Sequence, residues 1–317
     1  MKIAFLDVVH SILWDKLSEV GMICVHLEQT DEHTLRKTIA EYDGIVIRSR
    51  IKMNADFLSL ATKLKFIARS GAGMENIDLS YCKQHNITCF NSPEGNMQAV
   101  AEHGLGMLLM LFNKLKQGDA EVRNGLWRRD ENRGEELHAK TVGIVGYGNM
   151  GQAFARILSG VGCKVIAYDK YKEDFSDDYA QEVTLTKLQE QADVLSLHLP
   201  QTPETHYWLN NDCITAFKKP FALLNTARGK NVDTAALVQA LKKGNIAGAC
   251  LDVLEYEKSS FEKLNQEDLP VDWQYLIKSD KVLLSPHVAG WTDESYVKLS
   301  SYLADKILRE FSRENNA

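Results

Sequence analysis

The chain has 317 residues, 44% hydrophobic and 25% charged, the mix of a globular protein long enough to build two cores. Forty-three acidic against 37 basic residues leave a formal charge of −6, which offers no electrostatic footprint for nucleic acid or an anionic membrane surface. No apolar run approaches the ~18 residues of a membrane span, and six scattered cysteines without a Cys-x-x-Cys pair are expected to be reduced core residues, so a cytoplasmic location and no metal site are expected.

In chain order, Met1–Asp7 meets an acid too early for a signal peptide and instead suits a first strand. Strands are expected at Lys2–Asp7, Ile23–Glu28, Gly44–Arg48, Lys65–Arg69 and Ile87–Asn91. Between the first two, Leu13, Leu17 and Val20 share one helical face. Short β-branched runs separated by helix-length segments predict a parallel, doubly wound sheet. A long helix is expected from about Gln98 to Gln117, then a polar, basic segment around Arg123–Arg133.

The alternation then restarts, with strands at Thr141–Gly146, Lys164–Asp169, Asp193–Leu199, Phe221–Asn225, Gly248–Val253 and Val282–Ser285. Lys258–Ser279 reads as a long irregular insertion. From Asp293 to about Arg313 the apolar stripe Tyr296, Leu299, Leu303, Ile307 predicts a final helix.

The sharpest local motif is Gly146-Tyr147-Gly148-Asn149-Met150-Gly151, set between the apolar strand ending in Val145 and a helix with Phe154, Ile157, Leu158 and Val161 on one face. The three glycines suit, in turn, a tight bend, close approach of backbone to a pyrophosphate, and close helix–sheet packing. The helix N-terminus offers unpaired N–H groups to phosphate. The next strand ends in Asp169, 18 residues beyond Gly151, placed to accept hydrogen bonds from ribose hydroxyls and to repel a 2′-phosphate. NAD is therefore the expected cofactor.

Three further segments lie at strand C-termini, where open α/β sheets bind ligands: Leu224-Asn-Thr226-Ala-Arg228-Gly229, Leu251-Asp252-Val-Leu-Glu255-Tyr-Glu257 and Ser285-Pro286-His287-Val-Ala-Gly290. With Arg69-Ser-Gly71-Ala-Gly73, Asn91-Ser-Pro-Glu-Gly95, Ala101-Glu-His103 and His198-Leu-Pro200-Gln-Thr-Pro-Glu-Thr205, they make the chain, over nearly its whole length, resemble the D-isomer-specific 2-hydroxyacid dehydrogenases. That resemblance implies an α/β fold of two doubly wound parallel-sheet domains. One is a flavodoxin-like substrate domain formed by residues 1–97 and 291–317. The other is a Rossmann NAD-binding domain over residues 98–290.

The resemblance also assigns roles. Arg228 would grip the substrate carboxylate and polarise the reacting oxygen, His287 would be the acid/base, and Glu257 would hold the other imidazole nitrogen. Glu257 stands where family members show Glu-x-Pro, and this chain has Glu257-Lys-Ser; Glu255 is the competing carboxylate. His198, Leu199, Pro200, Thr205, Thr226, Ala227, Asp252, Ala289 and Gly290 fall on cofactor-lining positions, whereas His103 and His206 are given no role.

In the first domain, Ser70, Gly71 and Ala72 resemble the loop whose amides hold the substrate carboxylate. Arg48 and Arg69 match phosphate-binding arginines of phosphoglycerate dehydrogenases, and Arg129 resembles a third supplied by a neighbouring subunit. The preferred substrate pair is 3-phosphoglycerate and 3-phosphohydroxypyruvate, which would place the protein in serine biosynthesis as a homodimer. Glyoxylate, hydroxypyruvate or D-lactate chemistry is the alternative, since the insertion resembles lactate-type enzymes. An NAD-sensing binding protein is the non-enzymatic one.

Overall fold

The computed structural model describes residues 1–257 and 270–311. The chain divides into two compact units, one comprising Met1–Asn96 and the chain from Trp291 onward, the other Met97–Gly290.

The first unit holds β1 (Lys2–Phe5), β2 (Ile23–His26), β3 (Gly44–Ile47), β4 (Phe66–Arg69) and β5 (Thr88–Asn91), paired in the order β2-β1-β3-β4-β5. Every pairing is parallel. This is the flavodoxin-like strand order. All four residues of β3 are buried, as expected of a strand covered on both faces. Val46, Phe66 and Ala68 pack with Leu13, Leu17, Leu303 and Ile307 from two helices, Ile12–Glu19 and Asp293–Phe311. Ala4, Ile45, Ile47 and Ile67 belong to a separate cluster with Leu35, Ile39 and Phe57. Val20 departs from its expected face: it caps the first helix and is exposed, because the helix ends before it.

The second unit holds β6 (Thr141–Val145), β7 (Lys164–Tyr168), β8 (Gln181–Glu182), β9 (Val194–Leu197), β10 (Phe221–Asn225), β11 (Ile246–Leu251) and β12 (Val282–Leu284). Their order is β12-β11-β10-β9-β6-β7-β8, again all parallel. The order reverses beside β6, so the crevice at its C-terminal end is the topological switch point where such sheets take ligands. β8 has no counterpart among the expected strands, since its two residues are too few to carry a pattern.

Helix starts follow side-chain chemistry. Asp31, Asn54, Asp78, Thr184, Asn210 and Asp233 each cap a helix by accepting a backbone N–H three residues on.

Two expectations are corrected. The single helix over 98–117 is two, Met97–Phe112 and Leu115–Arg123, separated at Lys114, whose φ of +50° cannot continue a right-handed helix. Within the stretch read as irregular insertion, Val271–Lys278 is helical and buries Trp273 and Leu276; residues 258–269 lie outside the described residues.

Candidate active site

The glycine turn follows β6 directly. Gly146 has φ +91°, and a methyl on it would meet the His198 carbonyl oxygen at 2.5 Å, so the bend is open only to glycine. Gly148 caps the helix Asn149–Ser159, whose first residues Asn149 and Met150 follow it. Asp169, just beyond β7, accepts from the Tyr147 amide (2.8 Å) and from the Tyr171 amide (2.9 Å), one on each oxygen. Each oxygen keeps a second lone-pair site for a ribose hydroxyl. The Tyr147 side chain turns inward, stacks on Phe175 and donates to Asp177, so only its backbone belongs to the turn.

The His198 backbone lies against this turn, but its side chain turns away. Its ring packs on Phe154, its Nε2 pairs with Ser196 Oγ at 2.8 Å, and burial pushes its pKa down to about 4, which keeps it neutral. Beyond Leu199, Thr205 braces its own loop by donating to the Pro200 carbonyl (2.6 Å), and Asn231 clamps the same carbonyl. At the end of β10, Thr226 Oγ1 is buried and has no hydrogen-bond partner among the described residues. An unpaired buried hydroxyl is costly unless a ligand supplies its bond. With the glycine turn and Asp169, it makes this strand end fit a dinucleotide.

Arg228 follows two residues later. Asn225 shapes its turn by accepting from the Ala227 amide (3.1 Å) and donating to the Arg228 carbonyl (3.0 Å), and Arg228 Nη1 donates to the Ala227 carbonyl (2.7 Å). A methyl on Gly229 would fall 1.9 Å from the Leu254 carbonyl oxygen, so only glycine lets this turn lie against the loop after β11.

That loop carries both candidate carboxylates. Glu255 accepts from the Tyr207 hydroxyl and from the Thr234 amide (3.1 Å), which ties it to a helix start. Glu257 accepts the Leu254 amide on one oxygen and faces His287 Nδ1 at 2.7 Å with the other. Beside a carboxylate Nδ1 carries the proton, so in the neutral ring Nε2 holds the lone pair. The geometry therefore pairs His287 with Glu257 and not with Glu255.

Asp252 is 1% exposed. Its carboxylate accepts from Ser285 Oγ (2.6 Å) and from the Val288 and Ala289 amides (2.9 Å each), so it holds the turn leading through Ala289 to Gly290. His103 reaches the same cluster, with Nε2 2.9 Å from Ser285 Oγ. No spacing signal linked residues so far apart in sequence.

In the first unit, Arg48 lies over the Trp291 ring at 4.2 Å, and burial draws its pKa down against the opposing pull of Asp7. Among the described residues no carboxylate lies within ion-pair distance of it. Arg69 Nε donates to the Arg48 carbonyl (3.2 Å), and its guanidinium runs alongside Gly71. Ser70 is buried, and Asn91 secures the loop by donating to the Ala72 carbonyl (2.6 Å). Arg129 is exposed.

A doubly wound sheet with a glycine turn at its switch point, an arginine after β10, a glutamate after β11 and the histidine it backs after β12 defines a dinucleotide-dependent oxidoreductase class. Residues 105–289 match the model of the D-isomer specific 2-hydroxyacid dehydrogenase NAD binding domain. The chain belongs to that NAD-dependent family.

It is 34% identical over 288 residues to a hydroxypyruvate reductase of Thermotoga maritima, covering 90% of this chain and 91% of the relative. It is 33% identical over 321 residues to a D-3-phosphoglycerate dehydrogenase of Methanocaldococcus jannaschii, covering 99% of this chain but 59% of the relative. Among four relatives of that name the chain spans between 50% and 59% of their length. The D-lactate dehydrogenase of Aquifex aeolicus, solved with NAD and lactic acid, superposes with a TM-score of 0.81 at 29% identity, covering 98% of this chain and 96% of that one.

Proposed function

We propose that the protein interconverts a D-2-hydroxy acid and its 2-oxo acid. The observation that carries this reading is the 2.7 Å contact of His287 Nδ1 with Glu257, at a strand end adjoining the turn that bears Arg228. NAD, when bound, supplies the hydride acceptor; the turn that Gly146, Gly148 and Gly151 allow would take its pyrophosphate at Gly148 and the helix start, Asp169 its ribose, and Thr226 its nicotinamide end. His287 Nε2 takes the hydroxyl proton during oxidation and returns it during reduction, while Glu257 holds the tautomer. Arg228 grips the substrate carboxylate and stabilises charge on the reacting oxygen.

Within the first unit, Ser70, Gly71 and Ala72 offer amides to a carboxylate, and Arg48 and Arg69 favour an anionic group at C3. The half-buried Arg48, with no carboxylate within ion-pair distance among the described residues, supports 3-phosphohydroxypyruvate as the oxo acid and a place in serine biosynthesis. A second reading, unphosphorylated hydroxypyruvate, is favoured by the full-length match to a hydroxypyruvate reductase. Following NADH absorbance with phosphohydroxypyruvate, hydroxypyruvate, glyoxylate, pyruvate and 2-oxoglutarate ranks these. Absence of turnover on all five, with NADH still bound, points to a sensor instead.

We also propose a homodimer. Met110, Leu115, Val122, Leu126 and Trp127 leave an exposed apolar surface on the second unit, with Trp127 78% exposed. The six thiols are free, which suits a reducing cytoplasm. No described helix is long and apolar enough to cross a membrane. A monomeric mass by light scattering refutes the dimer.

A further inference from the structure

His287 occupies a left-handed backbone conformation, φ +55°, that residues other than glycine adopt uncommonly. Such a conformation persists only where neighbouring bonds over-determine it. Here three consecutive amides converge on one residue. The His287 amide donates to the Asp252 carbonyl at 2.8 Å, and the Val288 and Ala289 amides donate to the two oxygens of its carboxylate. A buried carboxylate must itself be held by donors. Ser285 Oγ donates to Asp252 Oδ1 at 2.6 Å, and His103 Nε2 lies 2.9 Å from that hydroxyl oxygen and 3.6 Å from the carboxylate. Serine has one proton, and Asp252 takes it, so His103 must donate through Nε2–H. His103 projects from the 16-residue helix Met97–Phe112, which ties the cluster to a rigid element.

We propose that Ser285 and His103 are positioning residues for His287. Through Asp252 they hold the left-handed backbone that presents the imidazole to Glu257. Their effect is on where His287 Nδ1 points, and neither needs to touch substrate.

The assignment of His287 as acid/base rests on the proposed function, but its orientation can be read without turnover. Two-bond 1H–15N spectra of histidine-labelled full-length protein report the ring tautomer, with the His287 signals identified by their loss in His287→Gln. In the wild type the neutral ring carries its proton on Nδ1. Ser285→Ala and His103→Leu are expected to shift it toward the Nε2–H form. They should also lower kcat about tenfold, with KM and NADH affinity changed less than twofold.

His103→Gln, whose side-chain amide can donate to Ser285 Oγ, should restore both the tautomer and kcat. It also serves as the folded comparison should Ser285→Ala prove unstable. An unchanged His287 tautomer in both Ser285→Ala and His103→Leu overturns the proposal whatever the activity. A tautomer that shifts in protein lacking turnover upholds it and removes the enzymatic reading alone.

Discussion

Two glycines of the same turn should fail in different ways when given a methyl. At Gly151 the added carbon would stand 2.3 Å from the Gly146 carbonyl oxygen, about 1 Å inside ordinary contact, and 3.2 Å from Ile144. The first clash is with backbone, so the helix Asn149–Ser159 must retreat from the turn. Overpacking of this kind costs roughly 1–3 kcal/mol of stability. Hydrogen bonds from amides to a charged phosphate are worth about 1.5–3 kcal/mol each, so misplacing one or two weakens NADH binding roughly 10- to 10,000-fold.

Gly148 is the contrast. Nothing lies within 4 Å of its added carbon, and its φ of −85° suits any residue. Gly148→Ala should therefore unfold within about 0.5 kcal/mol of the wild type. On the proposed binding mode its methyl occupies the space through which the pyrophosphate approaches, so the NADH dissociation constant should rise at least tenfold, roughly 1.4 kcal/mol. Urea unfolding and fluorescence titration with NADH separate the two effects. Wild-type NADH affinity in Gly148→Ala would refute the claim that this turn cradles the pyrophosphate.

Other predictions follow from the same geometry. Glu257→Gln removes a charge-assisted bond of about 1.5–3 kcal/mol, so kcat should fall roughly 10- to 100-fold at unchanged NADH affinity, while Glu255→Gln should mainly lower Tm by loosening the Thr234 helix start; the reverse pattern hands the role to Glu255. Arg48→Ala with Arg69→Ala should cost phosphohydroxypyruvate about 100-fold more in kcat/KM than hydroxypyruvate, roughly two charge-assisted bonds, and an equal loss on both substrates disproves the phosphate assignment. His198, held near 4 against an ordinary 6.5, favours the folded state above pH 6.5 and loses that contribution as pH falls toward 4. Its share of the stability at pH 5 should be ~2 kcal/mol below that at pH 7, and urea midpoints of His198→Gln should lack that part of the pH dependence. Asp169→Ala should narrow the preference for NADH over NADPH; equal discrimination before and after shows that its two backbone bonds are its whole role.

The strands were readable because parallel strands buried on both faces become short, largely apolar runs, as in Gly44–Ile47 and Val194–Leu197. The glycine turn was readable because its steric demands fall on neighbouring residues of one β–α corner. β8 and the break at Lys114 were not, since two paired residues and one left-handed residue leave no periodicity.

At the site, residue types and order were carried by sequence, and partners were not. The sequence by itself determined a doubly wound architecture, a dinucleotide turn, and the presence of an arginine, two candidate glutamates and a histidine at strand ends. Only tertiary structure decided which glutamate meets His287, that the His198 ring packs inward, that Thr226 has no partner among the described residues, and that His103 reaches Ser285 across the chain. The physical reason is that periodicity and turn chemistry act over a few residues, whereas a buried polar group takes whichever partner the packing of distant strand ends brings within 3 Å or so.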